Sequence, residues 1–275
     1  MILPDFSKPL FFLIAVAVIF IVVIGRYLLI AGLFHGIFYL WFPQRFAQRK
    51  INSRAYKNGQ FKREVKWSTI TALLFALTGA ALLVLWQQGY TRIYLNASDY
   101  PLWWMPASLV VAMLLHETYY YWLHRWMHHP SIFRIVHKVH HDSNVTSPWT
   151  AFSFHPLEGV LQALFLPALL LIVPMHLHMV ILQLTLMTFS SVVNHLDIEL
   201  YPKGFHKNFF GRWLIGATHH SLHHKQFRYN YGLYFTFWDK WKKTESPLYE
   251  PLFEEKTTGL GEHSQPGFHQ QKVGG

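Results

Sequence analysis

Nineteen histidines stand beside only fourteen aspartates and glutamates in this chain of 275 residues. Three of their groupings have the spacing of metal ligands. The first is His124-Arg-Trp-Met-His128, whose two imidazoles lie on one face if the segment is helical. The second is His137-Lys-Val-His140-His141 and the third is His220-Ser-Leu-His223-His224. A solvated basic face or a pH-sensitive patch would also be rich in histidine, but neither requires the same spacing twice. Eight imidazoles exceed what one ion takes, since a tetrahedral zinc site has four ligands. They suit two ions of higher coordination with open positions, and imidazole ligation fits iron, zinc, copper or nickel. The absence of cysteine removes iron–sulfur clusters and thiolate catalysis.

The elements that carry these groups are greasy. The chain is 52% hydrophobic and 14% charged, against about 25% charged in a typical soluble domain. An apolar run begins at Leu10 and continues past Gly25 and Arg26 to Phe42, with Arg26 expected to snorkel to an interface. Trp67 to Trp86 is an uncharged stretch bracketed by tryptophans, as a membrane span is. A third run starts at Pro101 and passes into His116–His129, which predicts one long helix carrying histidines on its end. Leu157 to Val193 reads as a hairpin of two short apolar legs around Pro174–His178.

Net charge is +10, and segment 44–66 holds eight basic residues against the single acid Glu64. Such a block between apolar runs reads as a cytoplasmic loop, not a nucleic-acid patch. Counting spans from that loop puts every histidine cluster on the cytoplasmic face. The expected fold is an all-α, multi-pass integral membrane protein. It has about four transmembrane helices in two hairpins and a cytosolic histidine-rich helical cap. Residues 1–100 form the N-terminal hairpin with its basic loop, 101–250 the catalytic part with the second hairpin, and 251–275 a disordered tail.

The string from His116 to Glu158, with YYYWLHRWMHH, HKVHHDS and TAFSFHPLEG, resembles the fatty acid hydroxylase / sterol desaturase superfamily. Asn194-His195-Leu-Asp197, HHSLHHKQFRYNYG and FWDKW are most similar to its sterol C5-desaturase branch. The resemblance covers roughly 115–245. It implies that His124, His128, His137, His140, His141, His220, His223 and His224 are metal ligands and catalytic residues, with His195 a ninth ligand. It further implies two iron ions, replaceable by zinc in a purified protein, and O2 as oxidant. Electrons would come ultimately from NAD(P)H through a separate donor, since no cytochrome b5-like segment is present: cytochrome b5, a ferredoxin or a reductase. The substrate would be a membrane lipid, and relatives act on sterols, sphingolipids, alkyl ethers and fatty acyl chains. Either hydroxylation or desaturation fits.

Some positions stay open at this level. Glu199 stands where some relatives have a histidine, so the ligand set of the second metal is undecided. His129 or His128 could ligate. His155 could ligate or make a structural hydrogen bond. His116 could line a channel or be a satisfied core histidine. Glu117 and Asp142 could orient ligand imidazoles or make ordinary salt bridges. One of Tyr119, Tyr120 and Tyr121 could line an acyl tunnel. His35 and His206 read as structural, His176 and His178 as interfacial, and the 230–239 segment as a turn beneath the metals. Three rival activities remain: a zinc-dependent lipid hydrolase, a membrane metal transporter and a bis-histidine haem carrier.

Overall fold

The computed structural model describes residues 4–258. Three of its helices are long and apolar enough to cross a membrane: Pro9–Trp41, Gln60–Gln87 and Leu177–Asn194. The first two form an antiparallel hairpin. Ala72, Ala76 and Ala80 make a ridge of small residues on one face and are fully buried against Ala15, Val16 and Tyr27. Without water to drive association, close approach over small side chains is what holds such helices together. The outward faces carry Leu13, Ile21 and Leu29, each more than 60% exposed, as lipid-facing positions do.

The expected fourth crossing is not met by length and hydropathy among the described residues. Helix Trp104–Met127 is long, but its buried face holds His116, Glu117 and His124. The first leg of the second hairpin is only Pro156–Ile172, and it breaks at Leu164 between Pro156–Ala163 and Phe165–Ile172. Pro167 has no N–H to return to the carbonyl of Ala163, which accounts for the interruption.

The two ends of the bundle differ. At one end, the loop after Gln87 pairs with the hairpin tip in a short parallel ladder, Ile93 opposite Met175 and Tyr94 opposite His176. His176 Nε2 lies 2.9 Å from the Leu95 carbonyl oxygen, and the Trp104 indole donates to the Pro174 carbonyl. At the other end, the basic segment joins the histidine-bearing cap. Ile51 N–H donates to the Asp197 carbonyl, and the Arg49 guanidinium donates to the carbonyls of Glu199, Leu200 and Tyr201.

Glu64, the lone acid of that segment, is fully buried. It accepts hydrogen bonds from Gln60, Ser143, Ser147 and Thr150, and so pins the loop 143–150 to the membrane helices. The last described helix, Tyr249–Thr258, buries Tyr249 and Phe253 against Leu222. It covers the beginning of the tail expected from residue 251, because those apolar side chains find a partner surface in the cap. His263 and His269 lie outside the described residues.

Replacing Glu64 with alanine leaves three buried hydroxyls without their acceptor. The expected loss is about 3 kcal/mol, read as a lowered midpoint in thermal unfolding of the detergent-solubilised protein.

Candidate metal centre

The nine histidines singled out in the sequence converge in two groups. His124, His128, His137, His141 and His223 bring one ring nitrogen each to within 4.8 Å of one another. His140, His195, His220 and His224 do the same beside them. All are buried except His128, which is half-buried. The rings of His141 and His224, one from each group, stack 4.5 Å apart, so the groups share a wall.

Each His–x₂–His–His string is divided between the groups. His137 and His141, at i and i+4, serve the five-histidine group while His140 serves the other. His220 and His224 serve the four-histidine group while His223 crosses to the first. The cause is helix geometry: i and i+4 share a face, whereas the neighbouring residue projects about 100° away. A helix carrying such a string stands between two sites and furnishes both.

The donor set suits cations. The Nε2 atoms of His124 and His137, of His141 and His223, of His140 and His195, and of His195 and His220 lie 2.9–3.2 Å apart. Around an ion with metal–nitrogen bonds of about 2.1 Å, cis ligands of a five- or six-coordinate site stand about 3.0 Å apart, and tetrahedral ligands about 3.4 Å. The observed spacing fits the higher coordination numbers. His128 Nε2 and both ring nitrogens of His224 are buried without a hydrogen-bond partner among the described residues. Burial, and after it the neighbouring imidazoles, hold His137, His140, His141, His220, His223 and His224 well below the ordinary histidine range. They are therefore uncharged at neutral pH, the state in which imidazole ligates.

Orientation comes from the opposite ring nitrogen. His124 Nδ1 lies 2.8 Å from the Tyr231 carbonyl, His223 Nδ1 2.7 Å from that of Tyr229, and His195 Nδ1 2.7 Å from that of Ser191. His137 Nδ1 lies 2.9 Å from Glu158 Oε2, both groups fully buried. For His124, His195 and His223, donation from Nδ1 leaves the Nε2 lone pair for the centre; His137 Nδ1 and Glu158 Oε2 are in close contact but off hydrogen-bond geometry.

The segment that offers the tyrosine carbonyls is itself clamped by two buried acids. Asp239 accepts from the N–H groups of Tyr231 and Gly232, and Glu117 from those of Leu233, Tyr234 and Phe235. A Cβ on Gly232 would stand 2.6 Å from the Phe235 carbonyl and 2.9 Å from Glu117 Oε1, so only glycine fits between them.

Other sequence candidates fall elsewhere. Glu117 binds backbone amides and no ligand imidazole. Asp142 pairs with Lys138 on the surface. Glu199 accepts from the N–H groups of Tyr201 and Thr218, outside both groups. His129 is exposed, and His155 caps the helix that follows it. His116 stacks on Phe165 and hydrogen-bonds the Tyr234 hydroxyl. Glu158 was missed as an orienting group. It sits in the HPLE string, but nothing in the spacing marks it as the partner of His137.

An apolar chamber meets the four-histidine group at His195 and His220, with Tyr120, Phe152 and Phe154 among its walls. A second cavity lies beside it within the helix bundle, and the two share Phe75, His116, Gln162 and Met187 as walls.

Glu158→Gln keeps the shape but weakens the grip on His137 Nδ1. Metal affinity is expected to fall about tenfold to a hundredfold, measured by competition with a chelator. Unchanged affinity would remove Glu158 from the centre.

Comparison with known proteins agrees with this geometry. The fatty acid hydroxylase family model matches residues 109–244. A Delta(7)-sterol 5(6)-desaturase of Gibberella zeae is 29% identical over 212 residues, covering 76% of this chain and 64% of that protein. Lathosterol oxidase of Homo sapiens is 28% identical over 191 residues, 67% of this chain and 61% of that one. A Delta(7)-sterol 5(6)-desaturase of Candida albicans is 30% identical over 208 residues, 74% and 51% of the two chains. The chain thus spans less than two thirds of the length of these relatives. No solved structure gives a significant match. Residues 109–244, which hold all nine histidines of the two groups, match the fatty acid hydroxylase family, and the relatives they resemble are sterol desaturases.

Proposed function

We propose that this protein hydroxylates or desaturates an unactivated C–H position of a membrane lipid, a sterol, a fatty acyl chain or a related molecule, using O2 and two external electrons. The observation that carries the reading is the apolar chamber that ends on His195 and His220. It lets hydrocarbon, and little water, reach a cluster of metal-ligating groups. His124, His128, His137, His141 and His223 hold one ion, and His140, His195, His220 and His224 the other. The ions are iron, exchangeable for zinc on purification; when bound, they supply the redox chemistry that turns O2 into an oxidant for C–H bonds.

The chain's own residues do the rest. Glu158 and the carbonyls of Ser191, Tyr229 and Tyr231 fix the imidazoles, so the ligands need no rearrangement during turnover. Phe152, Phe154 and Tyr120 keep the chamber dry, which protects a reactive centre from side reactions. The balance is simple. Hydroxylation places one oxygen atom in the lipid and releases the other as water. Desaturation removes two hydrogens and releases both oxygens as water. Each consumes two electrons and two protons. A separate protein brings the electrons: cytochrome b5, a ferredoxin or a reductase.

The contact between the basic segment and the histidine cap supports a cytoplasmic active site, because arginine and lysine mark the cytoplasmic end of a membrane protein. A metal transporter would carry its ligands near the middle of the spans, and here they gather at one end. A zinc hydrolase would bring water to an ester, which a chamber of aromatic walls does not favour.

His140→Ala is expected to abolish lipid oxidation and to lower the iron content of the purified protein. Mass spectrometry of total lipids from cells with and without the chain then identifies the reaction: a lipid gaining one oxygen atom marks hydroxylation, one losing two hydrogens desaturation. Survival of turnover in His140→Ala would overturn the ligand assignment. Lipid hydrolysis without oxygen uptake would identify a hydrolase.

A further inference from the structure

The basic segment reaches the four-histidine group from outside the residues that match the family model. Residues 49–52 lie along 197–201. Ile51 N–H donates to the Asp197 carbonyl, Glu199 N–H donates to the Arg49 carbonyl at 3.0 Å, and Lys50 stands opposite Ile198 in an antiparallel bridge. Asn52 closes this contact and is 5% exposed. Its Nδ2 donates to Asp197 Oδ1 and, at 3.3 Å, to Ser221 Oγ; Ser221 Oγ donates to Asp197 Oδ1 at 3.1 Å. Asp197 and Ser221 are fully buried. Asp197 follows His195 by two residues, and Ser221 follows His220 by one. One amide thus joins the two stretches of chain that carry His195 and His220, whose Nε2 atoms stand 2.9 Å apart.

We propose that Asn52 is a positioning residue for the four-histidine group, holding His195 and His220 at the spacing an ion requires. The inference rests on the two-ion reading above. His195 needs such a hold. It stands just past the end of helix Leu177–Asn194, and the helix that carries His220 begins only at Ala217. Asp197 turns the chain away with φ 61°, a left-handed backbone that a non-glycine residue keeps where its surroundings fix it. Asn52 supplies that fixture, since both protons of its amide go inward, one to each partner. It acts through Asp197 and Ser221 and hydrogen-bonds no ligand imidazole. The five-histidine group has other supports. The Tyr229 and Tyr231 carbonyls orient two of its rings, and among the described residues no hydrogen bond joins 49–52 to residues 124–141. The N-terminal hairpin therefore sets how tightly one group, and not the other, binds its ion.

The test counts zinc on the full-length chain in phosphatidylcholine nanodiscs as the concentration of a chelator is raised. The wild type is expected to hold two ions. In Asn52→Leu, which keeps the volume and loses both donors, one ion should leave at about a tenfold lower chelator concentration, the usual effect of losing an orienting partner. The other ion should leave where the wild type releases it. Added to His140→Ala, which already lacks a ligand of the four-histidine group, Asn52→Leu should change nothing further. Added to His128→Ala, which lacks one of the five-histidine group, it should still cost the tenfold. If Asn52→Leu fails to fold, Asn52→Ser takes its place, too short to reach either partner and expected to act in the same way. Both ions weakened alike overturn the proposal, the result of a general loosening of the fold, as does release unchanged from the wild type. A wild type that holds one ion overturns the two-ion reading, and a weaker grip on that ion in Asn52→Leu would leave Asn52 a positioning residue. A wild type that binds no zinc overturns both. Selective loss in a chain that oxidises no lipid would overturn the oxidase reading and leave this proposal standing.

Discussion

Nine uncharged imidazoles turned inward are the constraint around which this protein is built. Lone pairs about 3 Å apart repel one another unless a cation, or a shared proton, lies between them. Protonation is disfavoured because the rings are buried and crowd each other. The arrangement suits a metal ion, and the surrounding structure keeps the rings from turning away. Backbone carbonyls take the Nδ1 protons of His124, His195 and His223, Glu158 stands against His137 Nδ1, and buried acids fix the loop that carries the tyrosine carbonyls.

Those acids explain how a cap with little regular structure can be rigid. Glu64, Glu117 and Asp239 are fully buried and each gathers several donors, Glu64 and Glu117 from loops remote in sequence and Asp239 from the nearby residues Tyr231, Gly232 and Thr244. Glu64 ties the first hairpin to residues 143–150, and Glu117 ties the third long helix to residues 233–235. The membrane helices thus position the centre as well as anchoring it. They also supply most of the walls of the two cavities beside the four-histidine group.

Much of the site was legible because helix periodicity is a local property. The strings at 124–128, 137–141 and 220–224 named eight ligand candidates without any tertiary information, and His195 came from likeness to a family. The lipid-facing helices and the basic segment were equally plain, since hydropathy and charge are sums over neighbouring residues. What was misjudged depends on distant partners. Glu64 read as a stray acid in a basic loop, yet its partners lie about eighty residues away. Glu117 suggested a partner for an imidazole and instead holds amides from the far end of the chain.

The sequence by itself determined that histidines would cluster at one end of a membrane bundle, because spacing and hydropathy are written residue by residue. Only the tertiary structure decided how the nine histidines divide. Five go to one group and four to the other, with each His–x₂–His–His string split between them. Spacing fixes which rings share a helix face. Which site that face meets is settled by the packing of helices that no local pattern encodes.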